Sequence, residues 1–269
     1  MKVILSRKGF DSSNGGCASP IMPDGTMLSM PIPSDDDAKF SDLHYNGVSY
    51  ADLIKSLNSK FTAECCHVDP DIRNGIRKTD IPKWQPAFGQ ISAAQTSLKN
   101  AEVNEGDLFL FFGWFRHVKE TNNGYKYVTR RDSKNFYDHA DLHMIYGYMQ
   151  IGKIITNPEE IKKYTWHPHS GKGYVSTKTN ALYIPADKLS FNSSMPGYGT
   201  LDYHEKRVLT MKDRTRAIWN NYDFYSPDMI HDNRKNSDKK GGLYYAGVWQ
   251  ELVINESEAL TEWAKKILC

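Results

Sequence analysis

The chain has 269 residues, 39% hydrophobic, 25% charged and 12% aromatic, a balance that excludes a disordered protein and leaves volume for a sizeable core. Lys+Arg is 34 and Asp+Glu 32, so the net charge is +2, too small a global field to hold nucleic acid without specificity, although a local basic stripe stays open. Mean hydropathy is −0.61, and no apolar run nears the roughly 18–20 residues that cross a bilayer. Val3-Ile4-Leu5 falls short of the roughly 7–15 apolar residues of a signal-peptide core. A cytoplasmic location and no membrane partner are therefore expected. Cys17, Cys65, Cys66 and Cys269 contain no CxxC pair, which excludes a zinc ribbon or thioredoxin motif and leaves buried or incidental thiols.

In chain order, residues 2–5 read as a buried first strand. A long Gly, Pro and Ser-rich loop follows from Gly9 to about Ser34, and loops of that length in a compact domain are often functional. Asp35-Asp36-Asp37 reads as a solvated acidic patch. Tyr50–Leu57 has helical spacing, with Leu53, Ile54 and Leu57 on one face, and residues 90–98 predict a second helix. Leu108–Phe112 is apolar throughout and predicts a strand buried on both faces. Residues 117–135 suggest an exposed hairpin. Met144–Ile155 predicts a strand pair or one bent strand, with Gly147 and Gly152 marking bulges or close backbone approach. A short helix after Asn157, a strand over 181–185, a turn over 197–199 and a mobile loop over 228–242 follow. A strand over 252–254 and an amphipathic helix over 256–268 close the chain, with Leu260, Trp263, Ala264 and Ile267 on one face. No repeat or linker interrupts the chain, so residues 1–269 are expected to form a single domain. Strands of mixed length interrupted by a few helices predict an α+β fold. Its central sheet is expected to be twisted, mostly antiparallel and partly closed like a barrel, with peripheral helices.

The P-loop, HExxH, GxSxG and zinc-deaminase patterns are all absent, and Gly171-Lys172-Gly173 lacks the context of a dinucleotide turn. Five constellations remain. In the first loop, Lys8, Ser12, Gly15 and Gly16 suit anion or phosphate binding by side chains and backbone amides, with Asp11 as acid/base or sugar-orienting group; the plain alternative is a turn capped by Asp11 itself. His67, Asp69 and Asp71 alternate along an extended segment and could orient a base or ligate an ion, or Asp69 could simply cap a turn. Arg116 ends the most buried strand and needs an anion, a carboxylate or an aromatic face, with Trp114 and Phe115 as stacking faces and His143 beside it in the sheet. His167 and His169 have metal-ligand spacing but no evident third ligand. Arg214 and Arg216 lie close to Trp219, Tyr222 and Phe224, which suits a nucleotide or single strand, while Trp219 alone reads as core.

Several of these stretches together resemble the third nucleotide-modification-associated domain family. They are Ser6–Ser12 with Gly16, Ser19-Pro20-Ile21 and Asp24-Gly25; His67–Asp71; Gly89-Gln90; Gly106–Arg116; the segment from His143 to Gly152; and Leu209-Thr210, Arg216, Trp219 and Gln250–Val253. The chain departs from the pattern at Trp249, where a small residue is expected, and in the lysine-rich loop before it. The resemblance implies a phage or bacterial protein tied to modified bases and to defence, without a reaction or catalytic residues to carry over. A shorter, fold-level likeness joins the Gly106-Asp107 turn and the His143–Gly147 strand to small barrel modules that read modified bases.

The residues and the resemblance lead to one expectation, an enzyme acting on a nucleotide or nucleic-acid base, with a non-catalytic reader of a modified base as the alternative. Asp11, His67 and Asp69 are the expected catalytic groups, and Lys8, Ser12, Gly15, Gly16, Trp114, Arg116, His143 and Arg216 the nucleotide- or anion-binding ones. No residue is assigned as a metal ligand and no structural zinc is expected; any metal would be a weakly held hard cation at Asp69 and Asp71. The first loop and the His67 segment are expected to meet in one pocket.

Overall fold

The computed structural model describes all residues except Pro227, 232–237, Lys240 and 248–249, and only the backbone of Asp238–Lys239. Most of the lysine-rich stretch at 235–240, and Trp249, therefore lie outside the described residues. The main sheet has nine strands: β1 (Val3–Arg7), β2 (Ser19–Ile21), β3 (Phe88–Gln90), β4 (Leu108–Thr121), β5 (Gly124–Tyr127), β6 (Leu142–Ile155), β7 (Ala181–Pro185), β8 (Tyr198–Thr200) and β9 (Glu251–Ile254). Their order is β9-β1-β4-β6-β7-β3, with β2 and β5 also on β4 and β8 on β6. The sheet curls into a half-barrel.

It is an α+β fold, but the sheet is mixed where the sequence predicts a mostly antiparallel one. Both β1 and β2 run parallel to β4, with Val3 opposite Leu108 and Ser19 opposite Phe115. Parallel neighbours need a long crossover, and some hundred residues lie between β1 and β4. Apolar patterning reports which residues are buried and is silent on strand direction across such a crossover.

The apolar half of β4 sits between β1 and β6, and Leu108–Phe112 are fully buried. Its remaining half leaves the core to pair with β2 and with β5, whose hairpin occupies part of the stretch expected to be exposed. β6 is one long strand with register shifts beside Gly147 and Gly152. A Cβ at Gly152 would stand 2.6 Å from the Ala186 backbone, so close approach and bulge coincide there. Gly197 makes a similar approach to Ala186, and the expected turn at 197–199 is instead strand β8, paired with β6.

Three helices exceed two turns: α1 (Tyr50–Leu57), α2 (Ser92–Asn100) and α3 (Glu258–Leu268). Leu53 and Ile54 of α1 close a second apolar cluster with Phe10, Met30, Phe40 and Cys66, within which Phe10, Phe40 and Phe61 pack ring on ring. Ser257 caps α3, whose predicted face of Leu260, Trp263, Ala264 and Ile267 is buried. Among the described residues, no helix is long and apolar enough to cross a membrane.

This frame positions the first loop. β1 leaves β4 after Arg7, opposite Phe112, and β2 rejoins it at Ser19, opposite Phe115. Residues 8–18 are thus an excursion pinned at both ends to one strand. Phe10 plugs the second cluster, and a Cβ at Gly15 would stand 2.3 Å from the Phe10 ring. At φ +88° and +69°, Gly15 and Gly16 also hold backbone angles that other residues resist.

Candidate functional site

Asp69 is the centre of the site. Its segment is held by the pairing of Cys66–His67 with Ile32–Pro33, and Asp69 Oδ1 accepts from the amide of Gly89, the middle residue of β3, at 2.7 Å. His167 Nε2 stands 3.2 Å from the same oxygen and His67 Nε2 3.9 Å from Oδ2. The His169 ring lies on Gly89, where a Cβ would be 2.3 Å from its atoms; no other residue fits there without moving the imidazole. Burial opposes the charge on Asp69, whose side chain is 5% exposed, yet the close approach of His167 Nε2 and the surrounding imidazoles hold its carboxyl well below the usual range. Burial lowers His169 to about 4, against the pull of Asp69. An ionised carboxylate is thus fixed among three histidines at the end of an open cleft of about 400 Å³.

Each neighbouring ring is oriented by a further partner. His67 Nδ1 donates to Asp36 Oδ2 at 2.6 Å, and that bond lowers Asp36 against the effect of its own burial. His169 Nδ1 donates to Asn180 Oδ1 at 2.7 Å, the amide being fixed by Asn180 Nδ2 donating to the His169 carbonyl. The His167 Nδ1 accepts from the His169 amide at 3.3 Å. Tyr174 stacks on His169 with ring centroids 4.8 Å apart. His67, Asp69 and His169 each place one possible ligand atom within 4.8 Å of the others.

The first loop forms the opposite wall of the same cleft, through Arg7, Lys8, Gly9, Asp11 and Asn14. Asp11 Oδ1 accepts from the amides of Ser13 and Asn14 at 2.8 and 2.7 Å, so it caps its own turn, while Oδ2 faces Arg7 at 3.7 Å. Lys8 lies 3.1 Å from Oε1 of the buried Glu251, which also accepts from Ser6 and from Gln90 at 2.7 Å. The start of α2 lines the cleft at Ser92, Ala93 and Ala94; no side chain caps that helix.

Arg7 and Asp11 also line a second cleft of about 240 Å³ with Ser12, Trp114, His143 and Arg216. Here the Arg216 guanidinium covers the Trp114 ring at 4.1 Å and donates to Ser12 Oγ at 2.6 Å. Trp114 Nε1 donates to Asp141. His143 lies opposite Trp114 in the sheet rather than beside Arg116, and accepts at Nδ1 from buried Trp219 Nε1 at 3.0 Å. Burial, then the charges of Arg216 and Arg7, push His143 down to about 3, so it contributes a neutral ring to this cleft.

Two sequence-derived assignments do not converge on these clefts. Arg116 lies midway along β4 rather than at its end; its Nη2 donates to the Val128 carbonyl at 3.0 Å and its guanidinium stands over the Tyr127 ring. Neither Asp11 nor Asp69 compensates it. Asp71 was expected to share a cation with Asp69, but its backbone bonds both ways with Ala87 and its carboxylate is taken by Arg77 at 3.0 and 2.7 Å and by Trp84. Both oxygens are thereby committed. Conversely, Asp36, Tyr174 and Asn180 carry no motif and Glu251 enters only within the resemblance at Gln250–Val253; Asp36 is a partner of His67 rather than part of a solvated patch. Of the His167–His169 pair, His169 comes together with His67 and Asp69 from about a hundred residues upstream, while His167 approaches Asp69 from the side.

The geometry defines a class: an α+β protein on a curled mixed sheet, with a histidine–carboxylate cleft joined to an arginine–tryptophan cleft. Within that class the chain belongs to the family described as nucleotide modification associated domain 3, whose model matches residues 2–255. No curated protein and no solved structure matches the chain.

Proposed function

We propose that the protein is an enzyme that modifies or processes a nucleotide or a nucleic-acid base. The observation that carries this reading is Asp69, buried yet ionised, ringed by His67, His167 and His169 and facing an open cleft. Burying a charge among titratable groups is costly, and such arrangements concentrate where chemistry is done. Asp69 and His67 then take the proton-transfer and charge-stabilising roles. Arg7, shared by both clefts, and the start of α2 offer positive potential to phosphate. The outer face of the Arg216 guanidinium is the stacking surface for a base, because Trp114 already lies against its other face. Asp11 holds the loop in shape and keeps Arg7 in place between the clefts. Membership of a nucleotide-modification family supports a nucleotide or nucleic-acid substrate.

The test is to incubate the purified protein with nucleotides and with single- and double-stranded DNA, then resolve the nucleosides by mass spectrometry. A new product that disappears in Asp69→Asn, while binding persists, supports the enzyme. Saturable binding without product from any substrate overturns it in favour of a reader.

A further inference from the structure

We propose that His67, Asp69 and His169 bind one divalent first-row transition ion as a two-imidazole, one-carboxylate site open to the cleft. The argument starts from which atoms carry protons. The Asp36 carboxylate only accepts, so His67 Nδ1 carries a hydrogen and Nε2 is the nitrogen left to offer an ion a lone pair. Asn180 presents its carbonyl oxygen to His169 Nδ1, so His169 Nε2 is likewise a lone pair. Carboxylate and carbonyl partners on the far nitrogen are the arrangement that fixes ligating histidines elsewhere.

Asp69 completes the set. Its Oδ1 is occupied by the Gly89 amide and approached by His167, leaving Oδ2 turned toward His67 Nε2 at 3.9 Å. Asp69 Oδ2 and His67 Nε2 thus face each other across a gap that a shared metal ion can fill in place of a proton. Donors about 2.1 Å from one ion stand roughly 3.0–3.4 Å apart, so this pair needs to close by about 0.5–0.9 Å, and the donors as a set, which lie within 4.8 Å of one another, need to draw together around the ion. The fully buried His167 differs. Its Nδ1 accepts a backbone amide, so its proton is on Nε2, an atom with no hydrogen-bond partner of good geometry and directed at Asp69. It positions the carboxylate and is not a ligand. Imidazole nitrogens favour iron(II), zinc or manganese over magnesium and calcium, which prefer oxygen. The hard cation expected from Asp69 and Asp71 is replaced by a softer ion, because Asp71 is committed to Arg77.

This inference concerns binding and does not need the enzymatic reading; an ion held without nucleotide turnover would overturn that reading alone. The experiment uses the full chain stripped with chelator, titrated with iron(II) under argon and separately with zinc, manganese, cobalt(II), magnesium and calcium. Stoichiometry is read calorimetrically and ligation by X-ray absorption. One transition ion per chain with two coordinated imidazoles is expected. His67→Gln and His169→Gln should each weaken it at least hundredfold, Asp36→Asn roughly ten- to hundredfold, and His167→Gln should retain two coordinated imidazoles. Circular dichroism confirms folding, and the wild-type absorption spectrum decides the matter if His169→Gln does not fold. Binding of magnesium or calcium alone, a bound ion without imidazole, or affinity unchanged in folded His67→Gln would overturn the proposal.

Discussion

His143 sets part of the acid limit of this fold. Its Nδ1 accepts from the buried Trp219 indole, and Phe112 and Tyr245 close over the ring. Protonation would turn that acceptor into a donor facing another donor, beside the charges of Arg7 and Arg216. The folded ring therefore titrates near 3, against about 6.5 in an unfolded chain. Between those values the unfolded state binds a proton that the folded state refuses, so stability is full above about pH 6.5 and falls as the pH drops through the window. One proton changes stability by about 1.4 kcal/mol per pH unit, which amounts to about 2 kcal/mol between pH 7 and pH 5. The assay is urea denaturation of the wild type and His143→Gln at both pH values. Asp69 and His169 destabilise in the same direction on acidification but are common to both proteins, so they cancel in the comparison. The gap between the two proteins should narrow by about 2 kcal/mol at pH 5. A gap that stays constant would refute the argument that this ring is held neutral by its surroundings.

Gly89→Ala should displace the His169 ring and abolish turnover with a stability loss of about 1–3 kcal/mol by thermal melting, since the new Cβ has no free volume. Asp71→Ala should cost about 3 kcal/mol in the same measurement by stranding Arg77, while a folded variant at low temperature still binds nucleotide normally. Arg216→Ala should weaken nucleotide binding about tenfold, or 1.4 kcal/mol, in a fluorescence titration that reports on Trp114. Arg116→Lys should leave that affinity unchanged and destabilise the β4–β5 hairpin by about 1 kcal/mol, because its guanidinium serves Val128 and Tyr127.

The elements legible in the sequence were those whose signal is local. Leu108–Phe112 announced a central strand because every side chain is apolar, and the 3.6-residue spacing of Leu260, Trp263 and Ile267 announced α3. The parallel direction of β1 and β2 was not legible, since it depends on a crossover of some hundred residues. Of the site, His67 and Asp69 were visible through their alternation, as was the glycine-rich loop. Extending the same alternation to Asp71 failed because pairing with Ala87 redirects that residue. That His169 lies beside His67 and Asp69 was not legible, because about a hundred residues separate them in sequence. Arg116 was placed at a strand end because the apolar run stops at Phe112, whereas the hydrogen-bonded strand continues for nine more residues, through Thr121.

The position of β1 between β4 and β9 has a consequence for how the protein is made. Val3 pairs with Ile254, so β1 waits for about 250 further residues to be made before its outer edge is covered. Glu251 arrives on that last strand, and only then do Ser6, Lys8 and Gln90 gain their common acceptor. A nascent chain halted before residue 251 would carry His67, Asp69, His169 and the first loop but not the strand that pairs with β1, leaving an uncovered strand edge open to misassembly.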